Sequence, residues 1–245
     1  MLILDDGDSW TAVGQPAHGW LAAQVARAWG NEMFARPEPL EDFVLGVSQH
    51  DVGWWEWDLR PPLHAPAGRA ASVFEAPMVP RTALWLGASR RLLSQSPWAA
   101  LLTSLHATNL YGEGPEAYEP EIASIVSTLL AEERVFQDEL CAGLGVAHED
   151  AAKLGELLYA LDSLSLALCS GWAARELPPV AGRAIRFEPQ ADDVAALDPW
   201  PLGVPELEVR VHGRVLHERF SDEHELYAAL DAAPWTPLSW TLRPV

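Results

Sequence analysis

Cysteine is nearly missing from this chain: Cys141 and Cys169 are the only two in 245 residues. Two thiols build neither a disulfide framework nor a cysteine-based zinc site, and both read as buried packing. Cationic residues are scarce as well. Sixteen Lys and Arg face 35 Asp and Glu, a formal net charge of −19. Nucleic acids and anionic membranes are bound by neutralising phosphates with Lys and Arg, so neither is an expected partner. A small phosphorylated ligand held in a local pocket remains compatible with that charge. No stretch approaches the ~18 apolar residues of a spanning helix. The start, Met1-Leu-Ile-Leu-Asp-Asp, lacks the basic region of a signal peptide. The expectation is a cytoplasmic protein. What remains is 49% hydrophobic and 21% charged, globular in character and long enough for one compact domain or one with a small appendage.

The chain divides by pattern. Residues 2–4 and 10–13 flank an Asp-Asp-Gly-Asp turn and read as a β-hairpin. A helix opens near Pro16, with Leu21, Val25 and Trp29 at i, i+4 and i+8, and a second follows Pro39 with Leu40, Phe43, Val44 and Val47 inward. Residues 54–80, rich in Trp and Pro, read as a long ordered loop, a kind that is usually functional. Helical spacing returns over 81–94, from Pro97 with Ser96 as N-cap, from Pro120, and from His148 to Trp172, with Pro178-Pro179 as the stop. After residue 183 a hairpin is expected around His212-Gly213, then a short helix at 222–231 and a closing strand near 236–243. The expected fold is mostly α: a helical domain over residues 1–177 and a small antiparallel β portion over 178–245, which the amino-terminal hairpin can join.

Polar residues stand where helical spacing asks for apolar ones. His50 and Asp51 follow Val47 on an inner face, His106 follows Leu102, and Asp162 sits in the stripe of Leu154 and Leu158. A carboxylate in mid-stripe is expensive to bury unless it is paired or bound to a cation. His18, in the first turn of its helix, can also point inward. Ligands arriving singly from different helices suit a metal held inside a bundle. A structural alternative for Asp162 is a buried ion pair with an arginine, and for His106 a contact to substrate rather than metal. Imidazole and carboxylate without thiolate suit divalent Fe, Mn, Zn, Ni or Co and do not choose between them.

The order His18, His50-Asp51, Asp162 resembles the signature of the HD-domain superfamily of metal-dependent phosphohydrolases. The matching surroundings are Gln15-Pro-Ala-His18-Gly, Ser48-Gln-His-Asp-Val-Gly-Trp54 and Leu161-Asp-Ser-Leu-Ser-Leu166, and the resemblance covers roughly residues 15–172. It implies an all-helical HD-type bundle in which two histidines and two aspartates bind a divalent metal, and His106 is similar to members that hold a second, so one or two divalent transition metals are expected. Hydrolysis of a small phosphoester is the implied activity, with a non-catalytic metal- or nucleotide-binding module and a di-iron oxygenase of the HD type as alternatives. Phosphate also needs cations, and Arg60, Arg69 and Arg81 in or beside the long loop are the candidate clamp. Trp54 is a candidate stacking wall and Glu56 or Asp58 a candidate acid or base beside His50 and Asp51; alternatively, the segment 53–58 is an aromatic plug that caps the bundle.

Overall fold

The computed structural model describes residues 1–245 except Leu86, Glu113 and Asp192, and describes residues 78–81 by backbone alone. The chain begins with the hairpin β1 (Leu2–Asp5) and β2 (Trp10–Val13), then α1 (Gln15–Ala28) and α2 (Leu40–Gln49). The Trp- and Pro-rich region that reads as loop is broken into short elements: a 3-10 turn (Val52–Trp54), α3 (Trp55–Leu59), a small hairpin of β3 (Leu63–His64) and β4 (Arg69–Ala70), and α4 (Met78–Trp85). Next come α5 (Pro97–Leu110), α6 (Pro120–Leu144) and α7 (His148–Cys169), then β5 (Arg175–Val180), β6 (Arg183–Pro189), β7 (Val194–Asp198), β8 (Leu207–Leu216), α8 (Glu223–Ala232) and β9 (Trp235–Pro244).

Helix starts follow local chemistry. Pro stands at N1 or N2 of α1, α5 and α6, where it has no needed amide to lose. Ser96 caps α5, accepting from the Ala99 amide at 3.2 Å. Helices α1, α2, α5 and α7 close a ring, with contacts from α1 to α2, α2 to α5, α5 to α7 and α7 to α1. Gly19 lets α1 approach α2 closely, because a Cβ there would lie 2.8 Å from the Ser48 carbonyl oxygen.

The expected mostly-α, all-helical HD bundle with a small antiparallel β portion is not the fold. A seven-stranded sheet runs in the order β1-β2-β8-β9-β7-β6-β5, and it is mixed, since β7 and β9 pair in parallel. The two ends of the chain build it together, β2 pairing with β8 through Trp10↔Leu216. It packs on the ring, β8 against α1, and β5 and β1 against α7. One hydrophobic cluster holds Leu2, Leu21, Leu161, Ile185 and Leu242 together, so sheet and helices share a core. The boundary read between residues 177 and 178 falls within β5. The expected hairpin around His212-Gly213 is a single strand, β8.

Candidate metal centre

The helical ring brings His18 from α1, His50 and Asp51 from the end of α2, His106 from α5 and Asp162 from α7 to one buried place. His50 is the C-cap of α2, and its Nδ1 donates to the Val47 carbonyl at 2.7 Å, an oxygen that the helix end leaves without an amide. That bond turns Nε2 inward, 3.1 Å from Asp162 Oδ1 and 3.7 Å from Asp51 Oδ2. His18 is held likewise. The Ser165 hydroxyl donates to the Asp162 carbonyl at 2.8 Å and so accepts from His18 Nδ1 at 2.9 Å. His18 Nε2 then faces Asp51 Oδ2 at 2.7 Å. Anchoring one ring nitrogen to fix the other is how metal-binding histidines are oriented.

One donor atom from each of His18, His50, Asp51 and Asp162 lies within 4.8 Å of all the others, and all four residues are buried. This set can hold a metal ion. Among the described residues neither carboxylate is paired with a Lys or Arg; both face only imidazoles. The arginine-paired alternative for Asp162 is thereby absent among those residues. The electrostatics of the cluster favour positive charge on its imidazoles and negative charge on its carboxylates. Burial opposes a charge on His50, but Asp51 and Asp162 outweigh it and push its pKa up to about 9. Burial likewise opposes ionisation of Asp51 and Asp162, yet the surrounding imidazoles hold both below the usual carboxylate range.

His106 stands at the edge. Its Nε2 is 4.0 Å from Asp162 Oδ2, its ring meets His50 at 4.6 Å between centroids, and its Nδ1 has no partner among the described residues. Burial first, and then the neighbouring His50, push its pKa down to about 4. A cavity of about 50 Å³ opens over the cluster, walled by Trp54, Phe74, Trp85, Leu110 and Leu166 beside His106. Gln15 also lines it. Gln15 Oε1 and Trp85 Nε1 are buried without hydrogen-bond partners among the described residues. Trp85 does not stand out in the sequence as functional, and Gln15 and Ser165 enter there only as neighbours of His18 and Asp162. Ser165, one helical turn after Asp162 on the same stripe, carried a usable signal.

The other sequence candidates lie elsewhere. Trp54 is buried and does wall the cavity. Glu56 is exposed on α3. Asp58 is bound by the Gln15 amide and the Met1 amino group on the far side of the start of α1. Arg60 forms a fork with Asp231, both bonds 3.1 Å, and Arg69 bridges Asp5 at 3.0 Å and Glu75 at 2.9 Å. Neither arginine lines the cavity over the cluster. The Arg81 side chain lies outside the described residues.

Among the described residues no helix is long and apolar enough to cross a membrane. No curated protein and no solved structure matches the chain. A family model does, over residues 1–218, a stretch that contains the whole cluster and continues through β8. The chain belongs to the family described as protein of unknown function (DUF3891).

Proposed function

We propose that this chain is a metal-dependent hydrolase of a small phosphoester, with one divalent transition metal held by His18, His50, Asp51 and Asp162, and that its helical ring is related to the HD domains. The observation that carries the reading is the pair of buried carboxylates whose described partners are imidazoles alone. Such a group of donors is costly to bury for stability's sake and well suited to a cation. A divalent ion held by these four residues would supply a lowered pKa for water and a polarised phosphoryl oxygen. The chain's own residues do the rest. Ser165 and the Val47 carbonyl orient the two histidines, the indoles and Phe74 wall the space, Trp85 Nε1 and His106 offer neutral nitrogens to ligand oxygens, and Gln15 Oε1 accepts from a hydroxyl or a water.

The size of the cavity bears on the substrate. At about 50 Å³ it admits a few waters or a reacting head group, well short of the roughly 300 Å³ at which drug-sized ligands are engulfed. The rest of a phosphoester therefore stays outside. A second reading, an iron oxygenase, is favoured by the apolar walls and by the lack of any Lys or Arg among the described residues lining the cavity.

Elemental analysis, followed by an aryl phosphate and nucleotide panel with Mn, Fe, Co, Ni and Zn, tests the proposal. Turnover that disappears in His50→Ala and Asp51→Ala is the expected result. Silence across the panel with metal bound leaves a binding module, and oxygen uptake by the iron form selects the oxygenase. A protein that takes up none of these metals overturns every version.

A further inference from the structure

Helix α1 has a second cavity at its start. Gln15 lines the space over the metal cluster, whereas Pro16 and Ala17 line a separate cavity of about 300 Å³ with Trp55, Arg60, Arg214 and Trp235. The Trp-rich segment after Asp51 is split the same way: Trp54 is buried at the cluster, while Trp55 is 56% exposed at the second cavity, and Trp235, which also lines it, is 61% exposed. Large indoles left this open beside a cavity of ligand size are unusual on a folded surface.

The charges lining this cavity do not cancel. Asp231 is taken by the Arg60 fork, and Asp58 by the Met1 amino group and the Gln15 amide. Arg214 forms no ion pair among the described residues. Its Nη1 donates to the Leu230 carbonyl at 2.8 Å, its guanidinium lies 4.7 Å from the Trp235 ring centre, and its buried Nε has no partner among those residues. An Arg with one edge unused fits the two oxygens of a carboxylate. A phosphate dianion would bring a second negative charge beside Asp58 and Asp231, which one guanidinium does not balance.

We propose that this cavity binds a planar aromatic monocarboxylate, its carboxylate on Arg214 and its ring against Trp55 and Trp235. The site is separate from the metal cluster and does not depend on what the cluster does.

Calorimetric titration of the full-length protein with 1-naphthoate tests it, with 1-naphthalenemethanol and 1-naphthyl phosphate as comparisons. The expected result is saturable binding of one naphthoate per chain, weaker binding of alcohol and phosphate, and no change when a chelator is added. Arg214→Met should weaken naphthoate about tenfold or more, the weight of a hydrogen-bonded charge pair. Because Arg214 also supports α8, Trp55→Ala provides a second variant at an exposed position, and it should weaken acid and alcohol alike. The proposal is overturned if no acid binds at millimolar concentration, if the alcohol binds as tightly as the acid, or if folded Arg214→Met binds like the parent. Binding that vanishes with the chelator also overturns it, because the ligand then belongs to the metal cluster.

Discussion

Asp162 is the residue on which the metal reading turns, because it faces three histidines and no described Lys or Arg. Asp162→Asn keeps its shape and removes the charge that balances a cation. Metal content of the purified protein should fall at least ~10-fold, the lower end of what even supporting residues cost. Asp198→Asn, at an exposed position at the end of β7, should leave it unchanged. Equal metal content in the two variants would make Asp162 a structural carboxylate. Ser165 tests the support beneath the ligands. Ser165→Ala removes the acceptor that fixes His18, and metal titration should show affinity about 10–100-fold weaker with the fold intact. Unchanged affinity would mean that packing alone orients His18. Asp162 was legible as a candidate because a charge inside a leucine stripe contradicts its surroundings, and His50 and Asp51 were because they follow Val47 on an inner face. Gln15 and Trp85 were not, since a glutamine beside a helix start and a tryptophan near the core each fit their local pattern, and only the cavity joins them.

Elements with strong local punctuation read well. Helices α1, α5 and α6 begin where their prolines said they would. The sheet is larger than the sequence pattern suggests because two local signals have tertiary causes. Pro178-Pro179 looked like a helix stop, but α7 had already ended at Cys169, and the prolines lie in β5. That strand is at the sheet edge and its register shifts between Leu177 and Val180, a place where missing amides are tolerated. Gly213 looked like a turn. In β8 it serves close packing instead, because a Cβ there would lie 2.9 Å from Leu238 Cδ1 and 3.0 Å from the Ala12 carbonyl. Gly19 does the same between helices, and it carries a prediction. Gly19→Ala drives a methyl into the Ser48 carbonyl and forces α1 off α2, the two elements that supply His18 and His50. Chemical denaturation should show a loss of about 1–3 kcal/mol, typical of overpacking. No loss would mean that the interface yields freely.

On the scale of the molecule, the chain's two halves are tied by charge as well as by strands. Asp5 at the end of β1 accepts from Arg219, beyond β8, at 2.7 and 2.9 Å, and from Arg69 of β4 at 3.0 Å. The Arg219 bonds first, with the Gly7 amide and Arg69, hold its pKa well below the usual carboxylate range against a smaller effect of burial. A lowered folded pKa contributes stability that is full above about pH 4 and is lost as the pH falls below it. Asp5→Asn should therefore lower stability by about 1 kcal/mol at pH 7, discounted for partial exposure, and the gap to the parent should close in denaturation curves below about pH 4. A gap that persists there would point to shape rather than charge. The same unity decides what truncation does. All proposed ligands precede residue 172, which invites the thought that residues 1–177 suffice for metal binding. Yet β8 covers α1 and β5 covers α7, the helices that carry His18 and Asp162, and β2 loses its neighbour when β8 is removed. Ile185, Phe187, Val209 and Leu242 leave the shared cluster together, and each large apolar side chain is worth roughly 1.5–3 kcal/mol when buried. Four of them exceed a typical margin of about 5–15 kcal/mol at its lower end, before the strands themselves are counted. Residues 1–177 alone should then be insoluble, or should lack a cooperative thermal transition and bind metal far more weakly than the full chain. A soluble fragment with a sharp transition and undiminished metal affinity would make the sheet an appendage to an independent helical domain.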